Sequence, residues 1–505
     1  MNVTLLRIPT IIDASASTAP TCPPIGLAYV KSVVKKFTEN ITVVDSVGNY
    51  PHTRTVRSDQ NSIKLLGQTT EEITNLLPEN TDIILVSCMF SQDWIYGMEI
   101  IKSAKLKCPQ ALIVAGGEHI TALPEYSMTS APEIDVCVLG EGEKTLELIL
   151  SELKETGEFS SDQPGTCIRH KESGIIRNEN QSRLKALDSL QWPDWEGFPL
   201  ENYFKDGHGF GVNLSGRNMP IVASRGCPYQ CTFCSNPNMW TTAWNVREPE
   251  DVVAEMKLYI DKYQITNFDF YDLTAIVQKK WIVKFCHLLI ESRWDITWQL
   301  PSGTRSEAID KEVAALLYQS GCRNLSYAPE SGSDEILKRI KKKISLDKML
   351  SSMRECNSEG LSIKVNIICG FPDEQWKHLR ETLKFIVKVA WVGCDDLSIN
   401  QFSPYPGSEL FQELIEKGKL KLDEHYFEAL SYYSSMTNAE SYSDFLSNRD
   451  IITYKLTGTA LFYVVSFARR PQRFFRTIVN VYRRQETTRL EKTLISYAGR
   501  LKRES

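Results

Sequence analysis

The chain has 505 residues, 42% of them hydrophobic and 24% charged, with a net charge of −5, a balance that excludes collagen-like and disordered chains. That length suits two or three domains, each with its own core, and the small net charge gives no overall nucleic-acid signal. The charge is uneven, however: residues 451–505 hold twelve Lys/Arg against three Asp/Glu, about +9, leaving about −14 on the rest. The opening stretch MNVTLLRIP is not patterned as a secretory signal. The longest apolar run, 460–468, falls far short of the ~20 residues of a spanning helix, so a cytoplasmic location is expected. In a reducing compartment the thirteen cysteines are expected mostly as free thiols, and a tight cluster of them points to metal rather than disulfides.

From residue 3 to about 157, short apolar runs alternate with amphipathic stretches. Runs at 3–8, 41–44, 82–87, 111–115 and 136–139 are continuous and β-branched, which predicts buried parallel strands. Stretches at 25–39, 71–77 and 94–107 predict helices between them. Five strands with crossover helices make a doubly wound, Rossmann-like α/β domain over 1–157, with its ligand crevice at the carboxyl ends of the strands.

Residues 158–218 are polar and punctuated by Gly and Pro, and "LQWPDWEGFPLENYF" predicts a linker that wraps a neighbour with its aromatics. The βα rhythm then resumes. Strands are predicted at 221–224, 267–271, 296–300, 324–328, 363–368 and 397–402, with helices at 249–263, 280–293, 311–320 and 374–390. Six units without a clear seventh and eighth predict a partial (β/α)6 barrel over 219–412. Residues 413–505 turn helical and aromatic, then basic, with Arg interleaved with Phe, Ile, Val and Tyr in "ARRPQRFFRTIVNVYRR".

The densest chemical signal is "SRGCPYQCTFCS" at 224–235, in which Cys227, Cys231 and Cys234 are spaced C-x3-C-x2-C directly after a predicted strand. In a barrel the carboxyl end of a strand is where reactive residues gather. Three neighbouring thiolates suit an iron–sulfur cube that normally takes four, leaving one iron open. A zinc knuckle completed from elsewhere is the competing reading, but zinc sites favour two paired arms and no second arm is visible.

This loop resembles the cluster loop of radical S-adenosylmethionine (radical SAM) enzymes, with Phe233 the aromatic before the last cysteine. The resemblance implies a [4Fe–4S] cluster held by Cys227, Cys231 and Cys234, with SAM on the open iron and one-electron cleavage to a 5′-deoxyadenosyl radical. Further segments are similar to that family in order and spacing. "FDFYDL" brings Tyr271 and Asp272 toward the SAM amino group, and "PSGTRSEAID" brings Ser302 and Arg305 toward SAM. "CRNLSYAPESGSDEILKRIKK" supplies Glu330 for the ribose, while "IKVNIICGFPDE" and "SPYPGSELF" supply Asn366, Gly370 and Pro404 near the adenosine. Taken singly, Glu330 also reads as a helix cap, Arg305 as a surface charge and Gly370 as a turn.

The first domain resembles cobalamin-binding domains through "CPPIGLAYVKSVV", "VSCMF", "VAGGEHITALPEY" and "VLGEGEKTLELIL". The implied cobalamin contacts are Ser87, Gly116, Gly117, Glu118, Gly140, Glu141 and Gly142, where glycines let a flat macrocycle approach the backbone. An ordinary flavodoxin-like domain with glycine turns is the competing reading. Where such domains can carry Asp-x-His-x-x-Gly, this chain has Asp45-Ser-Val-Gly48. No histidine is then expected below the cobalt; His52 is the nearest alternative, and His119 reads more readily as a plain loop histidine.

Together the pattern is similar to class B radical SAM methyltransferases. The implied reaction moves a methyl group through cobalamin to an unactivated carbon of a small, hydrophobic substrate, with an external flavodoxin- or ferredoxin-type electron donor. A cobalamin-dependent oxidative cyclase, similar to the anaerobic magnesium-protoporphyrin monomethyl ester cyclase, stands as the alternative, and a non-catalytic sensor as a remote one. The basic tail reads as a contact with an anionic membrane, a cover over a hydrophobic substrate, or a solvated helix; no nucleic-acid module is recognisable. Trp240, Trp244, Tyr203 and Phe204 read as either cavity lining or core.

Overall fold

The computed structural model describes residues 1–16, 21–54, 63–170, 173–205, 209, 216–274, 276–304, 308–485, 488, 490–491 and 493–495. The expected strands of the first domain form one sheet. Ile41–Asp45, Val3–Arg7, Ile83–Ser87, Leu112–Gly116 and Val136–Val138 lie side by side and parallel in that spatial order. The order reverses at Val3–Arg7, so a crevice opens at the carboxyl ends of Val3–Arg7 and Ile83–Ser87. The helix expected over 25–39 is Ile25–Val34, shorter by one turn. The helix Thr70–Leu76 starts on a capping box in which Thr69 and Glu72 satisfy each other's backbone N–H groups.

The irregular stretch after residue 157 contains a hairpin absent from the sequence expectation. Thr166–His170 and Gly174–Arg177 add two antiparallel strands to the edge of the first sheet. The aromatic segment behind it does wrap a neighbour. Trp195 is buried and donates its indole N–H to the Tyr259 hydroxyl at 3.0 Å, while Trp192 donates to Asp251 at 3.0 Å, both on the helix Pro249–Tyr263. Tyr203 and Phe204 are core residues there, which decides between the two readings of these aromatics.

The second unit is an open sheet of six parallel strands: Asn218–Ile221, Asn267–Phe270, Thr297–Thr304, Cys322–Glu330, Ser362–Cys369 and Asp396–Gln401. Along Ser362–Cys369 the residues Ile363, Val365, Ile367 and Cys369 are buried under the helices while those between are half-buried. That alternation marks a barrel with a polar inner face. At its floor Asp269 accepts from Asn218 at 2.8 Å and from Gln299 at 2.5 Å, and Asn267 donates to Asn218 at 2.6 Å.

Beyond the barrel the chain is helical. The helix Asn448–Arg469, opened by a capping box at Ser447 and Asp450, has 22 residues and is long and apolar enough to cross a membrane, although its longest uninterrupted apolar run is short. It is packed on one side: Gly458 lies close against Ile399, Ile386 and Leu383, and Ile451, Tyr454, Phe462 and Ser466 are buried along the same face. All thirteen cysteines are free thiols.

At the carboxyl end of the strand Ile41–Asp45, Asp45 is fully buried, accepting from the Tyr203 hydroxyl at 2.6 Å and the Gly48 N–H at 3.0 Å. A Cβ at Gly48 would lie 2.6 Å from Asp45 Oδ2, Pro199 Cγ and Tyr203 Cε2. Gly48→Ala is therefore expected to cost about 1–3 kcal/mol by overpacking, read as a lower unfolding midpoint in denaturant; an unchanged midpoint would show that this corner yields freely.

Candidate functional site

The cysteine loop is fixed at its base by contacts within the protein. After Asn218–Ile221 the chain forms Ser224–Arg225, which pairs antiparallel with Asn245–Val246. Gly226 turns at φ 90°, where a Cβ would overlap the Ala243 carbonyl. Asp272 accepts from the Ala223 N–H at 3.1 Å and from both the N–H and hydroxyl of Ser224 at 2.5 Å. Burial pushes its pKa up to about 6 against those hydrogen bonds. Its carboxylate therefore anchors the strand end ahead of the thiols, a use the sequence expectation of a SAM contact did not include.

Within the loop the Cys234 N–H donates to the Cys231 carbonyl at 3.1 Å, and Thr274 donates to the Cys227 sulfur at 3.4 Å. Burial first, then the nearby Cys231, Glu118 and Cys227, push the Cys234 thiol up to about 12. Among the described residues, no three His, Cys, Asp or Glu side chains form a group able to hold a single metal ion. Three soft thiolate donors carried on one loop suit a cluster, where each sulfur takes its own iron.

Both ends of this loop are tied to the first domain. Ahead of it, Arg225 reaches Glu143 at 2.6 Å and Glu141 at 3.3 Å, all three buried. Its guanidinium lies 4.8 Å from the Tyr29 ring centre and 5.7 Å from that of Trp240. Arg183 holds the other side of Glu141 at 2.7 Å and donates to the carbonyls of Trp240 and Ala243. Burial raises the Glu143 carboxyl, but Arg225 offsets this by charge and hydrogen bond, leaving it below its ordinary range. After the loop, Ser235 donates to Glu118, whose carboxyl is raised by burial despite that bond. The carboxyl ends of the two sheets therefore face each other across one seam. Arg225, Arg183, Glu143 and Ser235 escaped the sequence reading; the position of Arg225 beside Gly226 and Cys227 is the one local hint it offered.

On the first-domain side the glycines differ in use. A Cβ added at Gly116 would meet nothing nearer than the Val138 carbonyl at 3.8 Å, and one at Gly140 nothing nearer than the Met239 carbonyl at 3.6 Å. Gly117, at φ 116°, abuts Cys88 instead. Gly142 opens the helix Gly142–Thr156, and Ser87 ends its strand half-buried. Beyond it Met89 and Phe90 are 43% and 49% exposed, an apolar shelf beside bare backbone that fits a corrin ring. Glu118 and Glu141 have their carboxylates engaged by Ser235 and by the two arginines. His119 is not a loop histidine but a core one: it stacks on Trp94 at 4.6 Å and meets the Ser91 hydroxyl at 2.9 Å.

The remaining expected positions ring the barrel mouth. Phe233 lies half-buried with its ring 5.8 Å from Phe371. Glu330 ends the fourth strand at φ 66°, is buried, and accepts from Lys342 at 2.9 Å; burial raises its carboxyl and Lys342 opposes the rise. Asn366 is half-buried on the inner face, Ser302 is exposed at the third strand's end, and Pro404 is buried with its carbonyl accepting from Tyr426 at 2.7 Å. Gly370 follows the fifth strand at φ 85°. Burial raises the Tyr271 hydroxyl well above its ordinary range, and Cys22 of the first domain and Asp269 add to the rise. Trp244 donates to the Thr274 carbonyl at 3.1 Å. Arg305 lies outside the described residues.

Two family models match the chain: "B12 binding domain" over residues 12–150 and "Radical SAM superfamily" over residues 221–386. An uncharacterized methyltransferase of Pyrococcus horikoshii is 27% identical over 425 residues, 83% of this chain and 84% of that protein. The anaerobic magnesium-protoporphyrin IX monomethyl ester cyclase of Rubrivivax gelatinosus is 25% identical over 413 residues, 81% of this chain and 69% of that protein. In fold the chain is similar to the radical S-adenosylmethionine methyltransferase TsrM of Kitasatospora setae, solved with cobalamin and a [4Fe–4S] cluster. The TM-score is 0.66 at 16% identity, over 92% of this chain and 89% of that one.

Arg225→Ala is expected to cost about 3–5 kcal/mol, because buried Glu143 loses its cation while Glu141 keeps only Arg183; a lower unfolding midpoint, partly restored by adding E143Q, would bear this out, and no change would sink it. Burial lowers the His119 pKa to about 3. The neutral ring thus contributes stability above the ordinary histidine pKa of ~6.5 that is lost on acidification, by ~1.4 kcal/mol per pH unit below it. Denaturant midpoints between pH 7 and 5 should fall less in His119→Gln than in the parent chain.

Proposed function

We propose that this chain, in which a B12-binding domain precedes a radical SAM domain, transfers a methyl group from SAM to an unactivated carbon of a small, hydrophobic molecule. The observation that carries this reading is the double fastening of the cysteine loop. Arg225 on Glu141 and Glu143, and Ser235 on Glu118, hold the thiols against the glycine loops of the other domain. When bound, the cluster and cobalamin supply one-electron cleavage of SAM and a carrier for its methyl group.

The chain's own residues then have separable tasks. Cys227, Cys231 and Cys234 hold the cluster, and the sulfur-bound Thr274 hydroxyl steadies the first of them. Phe233, Tyr271, Ser302, Arg305, Glu330, Asn366 and Pro404 surround SAM, with Lys342 keeping the Glu330 carboxylate oriented. Asp272 sets the strand end ahead of the loop. Ser87, Gly116, Gly117, Gly140 and Gly142 support the corrin, while Glu118 and Glu141 fasten its loops to the barrel. The long alignment with a protein named a methyltransferase, over 84% of that protein against 69% of the cyclase, supports methyl transfer over ring closure. A flavodoxin- or ferredoxin-type donor, a cytoplasmic location and a peripheral contact of the basic C-terminal region with a membrane complete the reading.

Anaerobic reconstitution with iron, sulfide, cobalamin and SAM, followed by a low-potential reductant and candidate hydrophobic substrates, tests it. S-adenosylhomocysteine and 5′-deoxyadenosine are expected in equal amounts with each methylated product. Deoxyadenosine with a cyclised product and no homocysteine product would overturn methyl transfer. Cys234→Ala should remove the cluster's visible absorption and leave cobalamin binding in place.

A further inference from the structure

The helix Pro471–Arg483 is oriented against the usual rule for surface helices. Its buried positions are Arg473, Thr477 and Asn480, polar residues three or four apart. Arg473 donates to the carbonyls of Cys394 and Gly393, both at 2.7 Å, and pairs with Asp395 at 3.0 Å. Asn480 donates to Glu491 at 3.0 Å. The opposite face carries Phe474, Phe475, Ile478, Val479 and Tyr482, exposed by 46, 64, 51, 44 and 89%. A surface helix ordinarily turns its apolar stripe inward, so this one presents a contiguous apolar strip that the other described residues leave exposed.

The strip continues onto neighbouring helices. Phe467 meets Phe474 at 5.5 Å between ring centres, Val464 is 66% exposed, and Trp391 is 59% exposed beneath the Arg469 guanidinium at 5.0 Å. Its rim is cationic. From Ile451 to Gln485 the sequence contains seven Lys/Arg and no Asp or Glu; Lys455 and Arg473 are buried, and Arg469, Arg476, Arg483 and Arg484 are exposed.

We infer that Pro471–Arg483 lies in the interface of an anionic lipid bilayer, with Phe475, Ile478 and Tyr482 at the acyl boundary and the arginines at the headgroups. This deepens the peripheral membrane contact proposed above and is independent of methyl transfer. Charge complementarity selects the occupant. A second copy of the chain joined by a two-fold axis would set the same arginines against one another. A nucleic acid would use the arginines and aromatics, but not Ile478 and Val479 at the centre of the strip.

An electron donor would dock poorly here, because the carbonyls of Gly393 and Cys394 and the residues Thr297 and Ser362, which share a cavity of about 500 Å³ with Arg473 and Arg476, mark the amino ends of the barrel strands. The cysteine loop is at the other end, about 25 Å along an eight-residue strand such as Thr297–Thr304. The same geometry removes the reading of this helix as a cover over the substrate: the membrane lies on the barrel floor and the cofactor face looks away from it.

Co-sedimentation of the full-length protein with vesicles tests the inference, comparing phosphatidylcholine alone with phosphatidylcholine containing one third phosphatidylglycerol. Binding at least tenfold tighter to the anionic vesicles is expected, weakening as salt is raised. F475S/I478S should lose about tenfold or more of it, and each of R476A and R483A about fivefold. All these residues are exposed, and unchanged cobalamin loading of each variant reports that it has folded. Equal binding by the parent chain and F475S/I478S would overturn the inference. So would absence of vesicle binding together with a dimer that F475S/I478S dissolves, or with an acidic protein or RNA that the same variant releases.

Discussion

The arrangement of the whole molecule depends on one buried ion-pair cluster, Arg225 between Glu141 and Glu143. Each of these charges is costly to bury alone, and their mutual attraction repays the cost only in close, hydrogen-bonded geometry. The cluster is therefore a strong constraint on position even where it adds little to net stability. Arg225 sits two residues before the first cysteine, and Glu141 and Glu143 flank the glycine that opens the helix Gly142–Thr156. A displacement of either domain along the seam breaks this geometry, so the separation of thiols and glycine loops is set by protein contacts before a cofactor binds. Preorganisation of that kind is what a reaction between two bound groups requires.

The Ser235 contact with Glu118 repeats the device at the far end of the loop. With both ends fastened and Gly226 fitted against Ala243, the loop has little freedom to adjust. The polar floor of Asn218, Asn267, Asp269 and Gln299 closes the barrel beneath it. The chemistry is thus confined to the mouth, where half-buried Asn366 and exposed Ser302 remain accessible.

Much of this was legible in the sequence because it is written locally. The six barrel strands and the five parallel strands of the first sheet fall within a few residues of the apolar runs, and the cysteine spacing lies within eight residues. The hairpin of Thr166–His170 and Gly174–Arg177 was not legible, since its strands are short and the second is nowhere fully buried. Long-range pairing was equally invisible: Arg225 and Glu143 are 82 residues apart. Asp272 and Glu141 stand where ligand contacts were expected, but their carboxylates are engaged by Ser224 and by Arg183 and Arg225. In Pro471–Arg483 the periodicity announces an amphipathic helix; which face turns inward is decided by the carbonyls of Gly393 and Cys394 and by Asp395, which the helix's own sequence cannot reveal.

Glu330 carries one more consequence. At φ 66° it holds a left-handed backbone that glycine adopts freely and that costs a residue with a side chain about 1–2 kcal/mol. A glycine would relax the strand end and would equally permit the irregular register that separates Glu330 from Tyr327 against the fifth strand. A glutamate there, buried and in reach of Lys342, defines the position by the carboxylate it presents. The fold tolerates local strain so that a charge can sit where the backbone alone would have preferred none.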